Sequence, residues 1–368
     1  MATSIRSSLT SWTTIVPIVA MVVLVLVLAW GRGLPTLGVV VVAALLGGVV
    51  LAAVHHAEVV AHRVGEPYGS LVLAVAVTVI EVALIVTLMI AGGGGAETLA
   101  RDTVFAAVML TCNGIVGVSL LFGTMRGAVV SFNAEGSGAA LATVTTLATL
   151  SMVLPTFTTT TPGPQFSGPQ LAFAAVTALG LYGLFVLVQT GRHRDYFLPT
   201  TRDGAPLPDD AHAAPPSAPM AWFSMGLLLV SLVDVVGDAK LVSPTIERAV
   251  VVAGLPVSFV GVVIALLVLL PETLAAIRAA QRERLQISLN LAFGSAMASI
   301  GLTIPSIALA AIWLPVPLHL GLEALHIVLL ALTVVVTVLT VVPGRATLLQ
   351  AGVHLALVAA YVFLSIIP

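Results

Sequence analysis

Eleven apolar stretches, separated by short polar turns, follow one another along the chain: 13–31, 36–60, 69–92, 102–123, 137–156, 169–190, 220–241, 250–279, 285–312, 319–341 and 346–366. About twenty apolar residues in helical form cross a ~30 Å hydrocarbon core. In lipid, a helix satisfies its own backbone donors and acceptors, whereas an open strand does not. The pattern therefore predicts an all-α polytopic membrane protein with about eleven transmembrane helices. The first stretch follows Arg6, as a signal peptide would. Its apolar core is long, however, and Trp30-Gly31-Arg32-Gly33 offers no small-x-small cleavage site, so it is read as a true span.

The longest polar stretch, 192–219, is rich in Pro, Ala and Asp and is predicted to be a flexible linker. It separates six spans from five. Setting the first span aside leaves five and five, so corresponding helices of the two halves cross in opposite senses. That is the plan of inverted repeats plus one N-terminal span, which places a transport site near the midplane. The expected division is an N-terminal helix over 1–33, a first repeat over 34–191, the linker over 192–219 and a second repeat over 220–368.

Composition agrees with the pattern. Of 368 residues, 59% are hydrophobic and 8% charged, with a mean hydropathy of +1.15; a soluble domain carries roughly 25% charged residues. No basic patch exists, so nucleic acid is excluded as a partner, and the lipid bilayer is the expected one. Oligomeric state is not legible. The single cysteine, Cys112, has no partner for an intrachain disulfide. Lysine and arginine fix an orientation: with the N-terminus inside, the inner loops hold ten and the outer loops four (Arg32, Arg101, Lys240, Arg248). The N-terminus is expected inside and the C-terminus outside.

Against this apolar background two glutamates stand out. Glu81 lies within 69–92 and Glu272, preceded by Pro271, within 250–279. Each falls on the second helix of its five-span half. A carboxylate in a bilayer costs several kcal/mol unless it is paired, protonated or facing a wet cavity. Proline frees a backbone carbonyl of the preceding turn. After each glutamate comes a helix with amide and small residues: Thr111-Cys112-Asn113-Gly114 in the first half, and Asn290-Leu-Ala-Phe-Gly294-Ser295 in the second, running on to Ser299. Carboxylates with amide, hydroxyl and carbonyl oxygens suit a hard cation. Glu81 and Glu272, with Asn113, Ser295 and Asn290, are the candidate cation- and proton-binding residues. Ser299 reads as a packing residue.

A second cluster, His55-His56-Ala-Glu58-Val-Val-Ala-His62, places His55, Glu58 and His62 on one helical face. It is not the His-Glu-x-x-His zinc signature. Glu58, His62 and Glu66 are candidates for access or relay positions, and an intramembrane metal-dependent enzyme built on the histidines is the competing reading. His354, in the last span, reads as a packing histidine.

The run His55-His-Ala-Glu-Val-Val-Ala-His62-Arg-Val-Gly-Glu66-Pro-Tyr-Gly69-Ser resembles the first repeat of bacterial ChaA-type antiporters, which belong to the cation/calcium exchanger superfamily. So do Val79-Ile-Glu81-Val, Asn113-Gly114, Leu270-Pro-Glu272, Asn290 to Ser295, Leu302-Thr-Ile-Pro305, Gly344-Arg345-Ala-Thr347 and His354-Leu-Ala-Leu. The resemblance implies a non-enzymatic secondary antiporter in the bacterial cytoplasmic (inner) membrane. One acidic residue per repeat would lie at its centre, Glu81 and Glu272, exporting Ca²⁺ in exchange for protons, with Na⁺ or K⁺ as alternative substrates. No cofactor is implied. Burial disfavours the charged carboxylate, so protons and the cation are expected to compete for the same oxygens.

Overall fold

The computed structural model describes residues 10–31, 34–65, 68–91, 95–125, 127–198, 216–256, 258–313 and 317–367. Eleven helices among them are long and apolar enough to cross a membrane. They are α1 (Trp12–Trp30), α2 (Thr36–Val64), α3 (Tyr68–Ala91), α4 (Leu99–Thr124), α5 (Ala134–Phe157), α6 (Gly168–Arg192), α7 (Ala218–Val252), α8 (Phe259–Gln281), α9 (Leu285–Ala310), α10 (Ala324–Val341) and α11 (Leu348–Ile366). A two-residue antiparallel ribbon, β1 (Val130–Ser131) with β2 (Arg345–Ala346), is the sheet content of the described residues.

The chain forms two compact units, Met1–Ala96 with Ala211–Val257, and Glu97–Asp210 with Ser258–Pro368. In the first, α2 and α7 pack along each other, and α1 and α3 each touch both. In the second, α4 is the interior helix: 83% of its apolar window is buried. It packs against α8, α9 and α11, while α5, α6 and α10 complete the unit.

Several element edges differ from the hydropathy pattern. Helix α7 runs on through Pro244 to Val252, and α8 starts only at Phe259. Lys240 and Arg248, expected in an outer loop, are exposed positions of the helix. Arg101, also expected in an outer loop, is buried in the first turn of α4. The stretch expected as a linker opens with order: α6 reaches Arg192, and a 3₁₀ turn over Arg194–Phe197 buries Phe197 edge-on against Phe185, with ring centroids 5.5 Å apart. Its remainder, 199–215, lies outside the described residues.

Helix α10 starts at Ala324 rather than 319 because the preceding residues are an extended strap. His319 N donates to Glu97 O at 2.9 Å, Gly321 N to Pro164 O at 2.9 Å and Leu322 N to Met152 O at 2.8 Å. Thr156 Oγ1 donates to Leu322 O at 2.7 Å. Only glycine fits at the crossing: a Cβ on Gly321 would stand 2.6 Å from Thr156 Oγ1 and 2.8 Å from Thr156 N. Backbone groups bonded this way are lost to a helix, so hydropathy alone overextends α10.

Candidate functional site

In the first unit the Val/Leu/Ile-rich sequence of α3 forms a helix whose buried stripe includes Thr78, Ile80, Glu81, Leu84, Ile85 and Leu88. Glu81 is 4% exposed, on a helix packed against α2 and α7. The histidine cluster of α2 does not converge. His55, Glu58 and His62 are exposed, whereas His56 turns inward and places Nε2 3.0 Å from Thr13 O. Among the described residues, no three His, Cys, Asp or Glu side chains come together as a metal-holding group. Glu66 lies outside the described residues.

Helix α7 carries two acids that the hydropathy reading passed over. Asp234 and Asp238 stand one turn apart in Val233-Asp234-Val-Val-Gly-Asp238-Ala239, both wholly buried. The signal was the one that singled out the glutamates: an acid inside an apolar run.

In the second unit Glu272 is half-buried on α8, directly after Pro271. Having no N–H, Pro271 leaves the Leu267 carbonyl without its usual helical donor. Ser288 of α9 donates to Ala276 O of α8 at 2.7 Å, fixing those two helices together.

Asn113 is placed by a π-helical turn, Leu110–Ile115, within α4. Such turns insert one extra residue and recur at functional sites. This turn packs against α8, α9 and α11. Asn113 is fully buried; its Nδ2 donates to Thr333 Oγ1 of α10 at 2.9 Å, and its Oδ1 lies 3.2 Å from His354 Nδ1 of α11. His354 Nε2 in turn lies 3.1 Å from Thr340 Oγ1. With Asn113 Nδ2 as donor, its Oδ1 requires a proton on His354 Nδ1. Gly117 permits this approach, because a Cβ there would come 3.1 Å from His354 Cβ.

The other two candidates differ in setting. Asn290 Nδ2 donates to Phe197 O at 2.6 Å, and its Oδ1 accepts from Gln286 Nε2 at 2.9 Å. Gln286 Oε1 accepts from Asn133 N at 2.7 Å. Asn290 thus ties α9 to the 3₁₀ turn and to the start of α5. Ser295 is half-buried one and a half turns further along α9. Glu272, Asn113, Asn290 and Ser295 all stand on mutually packed helices of the second unit, and Glu81 belongs to the first. Thr333 and Thr340 are the polar partners that sequence reasoning did not assign, while His354, read as a packing histidine, is fully buried with hydrogen-bond partners.

Residues 34–191 and 223–367 match the family described as sodium/calcium exchanger protein. Over 360 residues the chain is 45% identical to y4hA of Sinorhizobium fredii, named as an inferred ionic transporter, covering 97% of this chain and 96% of that one. It is 36% identical over 352 residues to the sodium-potassium/proton antiporter ChaA of Escherichia coli, covering 94% of each. Among solved structures, native YfkE aligns with a TM-score of 0.70 at 15% identity, over 97% of this chain and all of that one. The H⁺/Ca²⁺ exchanger CAX aligns at 0.65 and 14% identity, over 94% and 90%. At such identities these two structures speak for the fold.

Proposed function

The chain belongs to the sodium/calcium exchanger family, and from that premise we propose that it is a cation/proton antiporter exporting Ca²⁺ by alternating access. It is a multi-span membrane transporter and not an enzyme. The observation that carries the reading is one acid set within an apolar helix of each unit, Glu81 on α3 and Glu272 on α8. Two carboxylates balance either one divalent cation or two protons, so exchange leaves their total charge unchanged. Carboxylate oxygens with the Asn113 amide, Ser295 and the freed Leu267 carbonyl are hard donors of the kind Ca²⁺ takes. Asn290 supports the set from its bonds to Phe197 and Gln286.

The cycle follows from competition for oxygen atoms. A cation arriving from the cytoplasm displaces protons from Glu81 and Glu272. The loaded protein opens to the far side, where protons displace the cation and return inward. Inward proton movement then drives cation export. Exchange is obligatory because an empty pair of carboxylates, carrying two uncompensated charges, is costly to enclose. The arginine bias supports a cytoplasmic N-terminus in the inner membrane, and removing buried Arg101 from the loop count strengthens that bias. Glu58 and His62, exposed near one end of α2, are suited to passing ions or protons to the interior. Glu66 is proposed for the same role from its place in the sequence.

A second reading has its own support. The identity to a sodium-potassium/proton antiporter favours Na⁺ or K⁺ as the transported ion, with the same carboxylates and the same competition. Everted membrane vesicles with an imposed proton gradient decide between them. Dissipation on adding Ca²⁺, absent in Glu81→Gln and Glu272→Gln, is the expected result. Dissipation by Na⁺ or K⁺ alone would move the assignment to the monovalent ions, and no response to any cation would refute antiport.

A further inference from the structure

Helix α7 is apolar enough to span a membrane, yet its buried stripe carries Ser224, Ser231, Asp234 and Asp238. These positions repeat at intervals of seven, three and four residues, which keeps them on one helical face. Both aspartates are 0% exposed. All four of their carboxylate oxygens lack a hydrogen-bond partner among the described residues. Ser231 is engaged with its own helix, its Oγ donating to Leu227 O at 2.8 Å. Of the described charged groups further along this helix, Lys240 and Arg248 are exposed.

The helices packed on α7 narrow what the pair can hold. Helix α1 brings no titratable group; its Leu24 covers Gly237, between the two acids in sequence, so closely that a Cβ there would not fit. Helix α2 brings His55, His56, Glu58, His62 and Arg63, of which only His56 is buried, with Nε2 at the Thr13 carbonyl. Helix α3 brings Glu81. A metal cation takes six or more oxygens to replace its water, and among the described residues no three His, Cys, Asp or Glu side chains come together as a metal-holding group. A proton needs one oxygen. A buried carboxylate charge without a partner costs several kcal/mol, and a second one turn away adds repulsion.

We propose that Asp234 and Asp238 are a proton-carrying carboxylate pair that contributes to coupling without ligating the transported cation. The inference rests on the antiport reading above and adds to it a proton site on α7 of the first unit. Each event is an acid dissociation: one O–H bond breaks, the proton passes to water, and one carboxylate remains. No redox step is involved. The pair therefore lets the transporter carry more protons per cycle than Glu81 and Glu272 alone can release.

The test compares two fluxes in vesicles bearing the full chain. One is proton movement driven by Ca²⁺, Na⁺ or K⁺; the other is isotope self-exchange of the same cation at equal pH on both sides. In the double variant Asp234→Asn/Asp238→Asn, the protons moved per cation are expected to fall by about half, to what Glu81 and Glu272 release, because two of the four exchangeable carboxyl protons are lost. Isotope self-exchange is expected to persist. An unchanged number of protons per cation overturns the inference. Loss of both fluxes in a variant that unfolds at the wild-type temperature also overturns it, because the acids would then belong to the cation site. If the wild type itself moves no protons for any cation, the antiport reading fails and takes this inference with it. Should the double variant not accumulate, the wild type is treated with a hydrophobic carbodiimide, which adds across the O–H of a protonated carboxyl. Modification mapped to Asp234 or Asp238, and fading as pH rises, is expected. No modification of either, with other membrane acids labelled, overturns the proposal.

Discussion

Asn113 and His354 meet inside the second unit, Oδ1 to Nδ1, at 3.2 Å, each wholly buried and each held by a threonine of α10. The arrangement stitches α4, α10 and α11 at the level of the π-helical turn. Both ring nitrogens of the imidazole are engaged, so removing His354 leaves the buried Asn113 oxygen without this partner and removing Asn113 takes one partner from the ring.

Such a loss costs about 1–3 kcal/mol. His354→Phe and Asn113→Leu are each expected to lower the unfolding temperature of the purified protein. The double variant should lose less than the summed singles, with a coupling of about 0.5–3 kcal/mol in a thermodynamic cycle. Simple additivity would show that the two side chains do not act as a unit.

The cation and proton are proposed to share carboxylates, which sets the sign of the pH dependence. Lowering pH on the side from which the cation loads fills the carboxylates with protons and weakens cation binding. Linkage limits the effect to about tenfold in apparent affinity per pH unit for each proton displaced. Cation uptake in everted vesicles is thus expected to weaken as the external medium is acidified. A pH-independent apparent affinity would rule out competition at Glu81 and Glu272.

Arg101 and Asp102 are 4% and 5% exposed, and Nε of the former lies 2.8 Å from Oδ1 of the latter. Arg101 also donates to Gly321 O at 3.1 Å and to Glu323 Oε1 at 3.4 Å. Breaking a buried ion pair from one side costs about 3–5 kcal/mol. Arg101→Gln should therefore destabilise strongly, whereas Arg101→Leu combined with Asp102→Leu should recover much of the loss. Thermal unfolding in detergent reads both, and equal loss in the single and double variants would contradict the pairing.

Glycine substitutions offer a contrast within one unit. Gly321→Ala drives a methyl into Thr156 and Pro164 and should cost about 1–3 kcal/mol through overpacking. At Gly294 an added Cβ meets nothing within 4 Å, so Gly294→Ala on α9 should be neutral or gain up to about 1 kcal/mol from helix propensity. A reversed order of unfolding temperatures would contradict the close approach at Gly321.

Most of the scaffold was legible in hydropathy, because eleven runs of apolar residues leave the chain few alternatives in lipid. Edges were less so. The polar end of α7 reads as a loop since hydropathy registers lipid exposure, not helicity, and the strap before α10 reads as helix because its residues are apolar while its backbone bonds lie elsewhere. Within the site, Glu81, Glu272 and Asn113 were legible as polar groups that bury at a cost. Thr333 and Thr340 were not. A membrane-helix threonine ordinarily bonds the carbonyl four residues back, as Thr337 does to Thr333 O at 2.6 Å, and nothing in its sequence context separates that habit from a contact across helices. The orientation of His56 toward Thr13, against the outward His55, was equally hidden, since adjacent residues on a helix diverge by about 100°.

The strap of residues 319–322 gives the second unit a mechanical character. It is laced to Glu97, Met152, Thr156 and Pro164, positions far apart in sequence, and Arg101 grips it from the interior. A segment anchored at so many points cannot open one bond at a time, so the amides of His319, Gly321 and Leu322 should exchange with deuterium at a single shared rate, released only when α4, the α5–α6 connection and the head of α10 come apart together.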